Sequence, residues 1–126
     1  MDNPKLLIVD DDQGIRTQLK WGIEGFDIIT ADSHDKAVEQ FELHRPSIVT
    51  LDLGLPPDIE GTSVGFAILD EILKRAPDTK VIIVSGSDRD INSLKVIEHG
   101  AFDFYSKPID IESLQIILNR ACSHNL

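Results

Sequence analysis

The chain has 126 residues, 41% hydrophobic and 27% charged, an ordinary balance for one folded domain with its own core and unlike that of a disordered segment. Its 22 acidic and 12 basic side chains give a formal net charge of −10, so direct binding of nucleic acid by this segment is not expected. No apolar run approaches the ~20 residues a bilayer crossing needs and no leader-like stretch follows a basic start, while a single cysteine, Cys122, allows no internal disulfide, so a cytoplasmic location is the expectation.

The first short apolar run, Leu6–Val9, predicts a strand. It ends in Asp10-Asp11-Asp12, and Asp12 reads as the cap of a helix whose inner stripe is Ile15, Leu19 and Ile23. Asp27–Ala31 predicts the second strand, and Ser33 caps a helix that faces the core with Ala37 and Phe41. Ser47–Leu51 predicts the third strand, which stops at Asp52 and breaks into Gly54-Leu55-Pro56-Pro57. Gly65 is expected at the start of the third helix, with the stripe Leu69, Ile72, Leu73 and Ala76. Lys80–Val84 is the fourth strand, ending in Ser85-Gly86-Ser87. A fourth helix over Asp90–His99, closed by Gly100, has an untidy stripe of Ile91, Leu94, Val96 and Ile97. Ala101–Tyr105 predicts the fifth strand, followed by Ser106-Lys107-Pro108, and Asp110 caps a last helix carrying Leu114, Ile117, Leu118 and Ala121.

Strict alternation of strand and helix argues for an α/β domain: a flavodoxin-like (βα)5 fold with a doubly wound, parallel, five-stranded sheet in the order 2-1-3-4-5. Ligands of such sheets sit beyond the carboxyl ends of the strands. In that order Asp10, Asp11, Asp52, Ser85 and Lys107 converge. Crowded carboxylates repel and need a cation. Hard oxygen donors in a small number select Mg²⁺ over Ca²⁺. A carboxylate, a divalent metal, the Ser85 hydroxyl and the Lys107 ammonium around one point make a phosphoryl-transfer site, with Asp52 as nucleophile.

These motifs, LLIVDDD, VTLDLGLPP, VIIVSGS and FYSKP, stand in order from Lys5 to about Ala121, and the chain resembles the receiver domains of two-component response regulators. The resemblance implies that Asp52 takes a phosphoryl group from a sensor histidine kinase. It implies a Mg²⁺ site of Asp10, Asp11, Asp52 and the main-chain oxygen of Gly54, with Asp11 as direct ligand and Asp10 acting through water. Ser85 and Lys107 contact the phosphoryl group, Pro108 follows a cis peptide bond after Lys107, and Ser85 and Phe104 are the switch residues. The face of the fourth helix, fifth strand and fifth helix then reports phosphorylation and serves a homodimer. Such a module catalyses only its own phosphorylation and slow dephosphorylation, and it contacts neither membrane nor nucleic acid.

The family pattern D-x-x-M-P-x-x-x-G is altered. Leu55 replaces the methionine, and the glycines downstream, Gly61 and Gly65, lie farther from Asp52 than the pattern asks. The lengthened loop, within Pro57–Ser63, is expected to shield the acyl phosphate from water. The phrase LDLGLPPD is similar to receivers of PEP-CTERM-type transcription activators, which carry an ATPase and a DNA-binding domain after the receiver; the chain is then either an excised receiver, as the resemblance favours, or a stand-alone one, with the output domain absent from this chain. Two other readings compete. A haloacid-dehalogenase-type phosphatase shares the aspartate nucleophile, lysine and Mg²⁺ but wants an acid where Gly54 stands. A receiver-like module that works by binding alone would not need the intact acidic set.

Overall fold

The computed structural model describes residues 3–57, 62–86 and 95–123. In chain order the elements are β1 (Lys5–Val9), α1 (Gln13–Gly22), β2 (Asp27–Ala31), α2 (His34–His44), β3 (Ile48–Leu51), α3 (Ser63–Arg75), β4 (Lys80–Ser85), a helical turn at residues 95–98 (α4), β5 (Asp103–Ser106) and α5 (Ile111–Ser123). The five strands form one parallel sheet in the order β2-β1-β3-β4-β5, as expected for the flavodoxin-like arrangement.

Successive residues of a strand point to opposite faces, and the central strands are apolar on both. Leu7, Val9, Val49, Leu51, Val81 and Ile83 meet Ala37 and Phe41 of α2 and Phe66, Leu69 and Ile72 of α3 on one side. Leu6, Ile8, Ile48, Ile82 and Val84 meet Leu19 and Ile23 at α1 and Leu114, Leu118 and Ala121 of α5 on the other. This two-sided burial is why the strands read as unbroken apolar runs. Because all five strands run parallel, their carboxyl ends share one rim, where polar residues can collect.

The caps follow the sequence. Asp12 accepts from the Gly14 and Ile15 amides, and Ser33 accepts from that of Lys36. Tyr105 binds both main-chain groups of Asp110, accepting from its N–H at 2.8 Å, which fixes the start of α5 against β5. Gly100 takes φ +100°, and the Ala101 amide returns to the Val96 carbonyl at 3.0 Å, closing α4.

Two expectations are corrected, and one feature is added to them. β5 starts at Asp103, not Ala101, because the Ala101 amide is spent on closing α4 before the ladder with β4 begins. α3 starts at Ser63, two residues before Gly65, and Gly65 lies within its first turn. A Cβ at Gly65 would stand 2.8 Å from the Leu53 carbonyl oxygen and closer still to the Leu53 Cα, so glycine is there for close approach of helix and chain. Pro56–Pro57 is a second cis peptide beside the expected Lys107–Pro108. Residues 58–61 of the lengthened loop, Ser87, and the first half of the expected fourth helix, residues 90–94, lie outside the described residues.

Candidate functional site

The parallel ladder runs one residue past β1 and β3 before it stops. The Asp10 amide donates to the Ala31 carbonyl at 3.1 Å and the Asp52 amide to the Val9 carbonyl at 2.9 Å. The two carboxylates thus leave the sheet from anchored backbone. Both are buried, at 3% and 6% exposure for Asp10 and Asp52. Asp11, the next residue outward, is half-buried, and one carboxylate oxygen from each of Asp10, Asp11 and Asp52 lies within 4.8 Å of the others.

The cation of the site comes from the far strand. The Lys107 amide donates to the Ser85 carbonyl at 3.0 Å, extending the β4–β5 pairing, and the side chain turns inward past Gly86. Its Nζ stands 2.9 Å from Asp10 Oδ2 and 3.6 Å from Asp52 Oδ2. Asp10 Oδ1 accepts from the Asp12 amide at 2.9 Å, and Asp52 Oδ1 from the Gly54 amide at 3.2 Å. Ser85 is buried at the end of β4 on the same rim. Phe104, paired in register with Ile83, packs half-buried against the α2–α3 side of the core.

Burial and then the charge of Asp10 push the Asp52 carboxyl up to about 6, against the pull of Lys107 and the Gly54 amide. Burial pulls the Lys107 ammonium down, but the hydrogen bond and charge of Asp10, and then Asp52, outweigh it and leave its pKa above the usual lysine value. Asp10 and Asp52 therefore share one ammonium, and Asp52, buried between it and two other carboxylates, carries both the desolvation and the repulsion. Oxygen-only donors at this spacing suit a small hard cation, whose charge would relieve it. Among the described residues no other set of three metal-binding side chains meets at such distances.

One participant escapes a reading of strand ends. Arg16 Nη1 donates to the main-chain oxygen of Asp10 at 2.7 Å. Its position in the first turn of α1, facing back toward the loop, gives no periodic signal distinct from a solvated arginine.

A doubly wound sheet with an acidic cluster and an inward lysine at its switch point defines a signalling domain of the response-regulator type. A family model described as the response regulator receiver domain matches residues 6–119, and the chain belongs to that family. It is 34% identical over 125 residues to a putative NtrX-like response regulator of Rickettsia conorii, covering 97% of this chain and 26% of the relative. It is 28% identical over 108 residues to the alkaline phosphatase synthesis regulator PhoP of Bacillus subtilis, covering 84% of this chain and 43% of the relative. The chain thus spans about a quarter of the length of the NtrX-like relatives. Among solved structures, the receiver domain of NtrX from Brucella abortus superposes with a TM-score of 0.83 at 32% identity, covering 93% of this chain and 97% of that one. The BeF3-activated DrrB receiver domain gives 0.86 at 26% identity, covering 98% and 99%. Like its relatives the chain carries the receiver module of two-component signalling. No described helix is long and apolar enough to cross a membrane.

Proposed function

We propose that the chain is a phosphoacceptor that takes a phosphoryl group from a sensor histidine kinase onto Asp52 and changes its α4-β5-α5 face in response. The observation that carries this reading is the convergence of Asp52, Asp10 and Asp11 within 4.8 Å beside Lys107. The donor set fits Mg²⁺, held by Asp10, Asp11, Asp52 and the main-chain oxygen of Gly54, which when bound supplies positive charge for the incoming phosphoryl oxygens. Asp52 is anchored through its amide and through the Gly54 N–H on Oδ1, which leaves Oδ2 for attack. The new bond joins that oxygen to phosphorus as the bond to the donor's imidazole nitrogen breaks, the electron pair staying on nitrogen. Lys107 follows the negative charge from the carboxylate to the phosphoryl oxygens, and the Ser85 hydroxyl supplies a further donor. A shift of Ser85 toward that group would free room at the rim for Phe104, which begins half-buried. Slow hydrolysis of the acyl phosphate resets the switch.

Transcription activation as the output, kinship with PEP-CTERM-type activators, a homodimer through α4-β5-α5 and a cytoplasmic setting belong to the same proposal. Support for the subtype comes from the LDLGLPPD phrase alone. Gly54, which offers its main chain to Asp52 but no side chain, disfavours turnover of small phosphate esters. Incubation with Mg²⁺ and acetyl phosphate should add one phosphoryl group, read as a single mass increment, and Asp52→Asn should remove it. Equal labelling of the variant would overturn the assignment.

A further inference from the structure

We propose that Arg16 is the positioning residue of this acidic site, holding the Asp10–Asp11 peptide so that the Asp11 carboxylate is presented to the cation; the inference rests on the Mg²⁺ reading above. Every polar group of Asp10 is engaged within the chain: its amide by the Ala31 carbonyl, Oδ1 by the Asp12 amide, Oδ2 by Lys107 and its main-chain oxygen by Arg16 Nη1. Asp11 is the contrast. Its carboxylate, half-buried at the rim, takes no hydrogen bond among the described residues.

What orients Asp11 must then be its backbone. The peptide unit is planar, so fixing the Asp10 C=O direction also fixes the Asp11 N–H and Cα, from which the side chain departs. The contact on that oxygen is a charge-assisted bond of 2.7 Å from a planar guanidinium. Arg16 can hold it because its own origin is rigid: its amide donates to the Asp12 carbonyl at 3.1 Å in the first turn of α1, itself capped by Asp12. The side chain is half-buried, lying along a small polar cleft of about 230 Å³ between α1 and α2 that Asp32 and Gln40 also line. Arg16 is absent from the groups that set the Asp52 pKa. Its effect is on direction, not on the charge of the nucleophile.

The test is a MgCl2 titration of the intact chain followed by ¹⁵N amide shifts, for the wild type, Arg16→Met, Arg16→Lys and Ile23→Val. Losing an outer contact to a metal ligand weakens the metal by roughly tenfold or more, and that is the change expected for Arg16→Met, with Arg16→Lys recovering part of it. Ile23→Val trims the core at the other end of the same helix and should titrate like the wild type. Arg16→Gln, shorter by reach, gives the same weakening should the methionine variant fail to fold. An Arg16→Met titration matching the wild type, or equal weakening by Ile23→Val, overturns the inference. A wild type that shows no saturable Mg²⁺ response instead refutes the Mg²⁺ reading itself, and the positioning role falls with it.

Discussion

Asp52 is the residue on which structure and chemistry pull in opposite directions. Its carboxyl is pushed up to about 6 by burial and by Asp10, against a value of 3.8 in the open chain. Because the folded value is the higher one, the ionised form is penalised only in the native state. The penalty is absent below pH ~4, grows as pH rises toward about 6 and is complete above it. A gap of about two pH units corresponds to about 3 kcal/mol as an upper bound. Asp52→Asn keeps the shape and removes the charge, so at pH 7 it should be more stable than the wild type in Mg²⁺-free urea unfolding, by about 2 kcal/mol. The gain should vanish near pH 3.5. A variant less stable at pH 7 would show that Asp52 is a structural anchor and not a strained acid. The acidic residues and Lys107 were legible in the sequence because each lies within two residues of the end of a predicted strand, and parallel strands end together. Arg16 was not, since its role depends on the reach of one side chain across a loop.

At the scale of elements, α3 shows where sequence patterns mislead. A glycine shortly after a loop suggests a helix start, but Gly65 sits in the first turn and its amide donates to the Leu53 carbonyl at 3.2 Å. The contact seats α3 directly against the chain that leaves Asp52, with Leu53 and Leu55 fully buried on either side of Gly54. Gly65→Ala gains about 1 kcal/mol of helix propensity. It also drives a methyl into main-chain atoms that cannot rotate away, a cost of about 3 kcal/mol or more. The expected result is a net loss of about 2 kcal/mol, seen as a lower urea midpoint at unchanged slope; a stabilised variant would mean that α3 can lift from the loop freely. The same limit explains β5. Hydrophobicity continues through Ala101 and Phe102, but the hydrogen bond that closes α4 takes the Ala101 amide first, and no composition rule sees that competition.

For the molecule as a whole, topology was the most legible feature, because alternation of unbroken apolar runs with amphipathic helices leaves few right-handed ways to bury both faces of a sheet. Less legible was how a chain of net charge −10 tolerates three of its own carboxylates drawn within 4.8 Å. Diffuse salt cannot be the answer, since screening acts over about 8–10 Å at ordinary ionic strength, twice the spacing of the cluster. A bound cation can be. Mg²⁺ should therefore raise the unfolding temperature beyond what NaCl of matched ionic strength achieves, and the excess should saturate. At ten times its Kd a single site contributes about 1.4 kcal/mol, a shift of a few degrees for a domain of this size. Asp11→Ala removes the carboxylate least tied to the protein and should abolish the excess while leaving the NaCl response intact, because general charge repulsion is spread over the whole surface. If the two salts act alike at matched ionic strength, the cluster is held by Lys107 alone, and the acidic rim is no metal site.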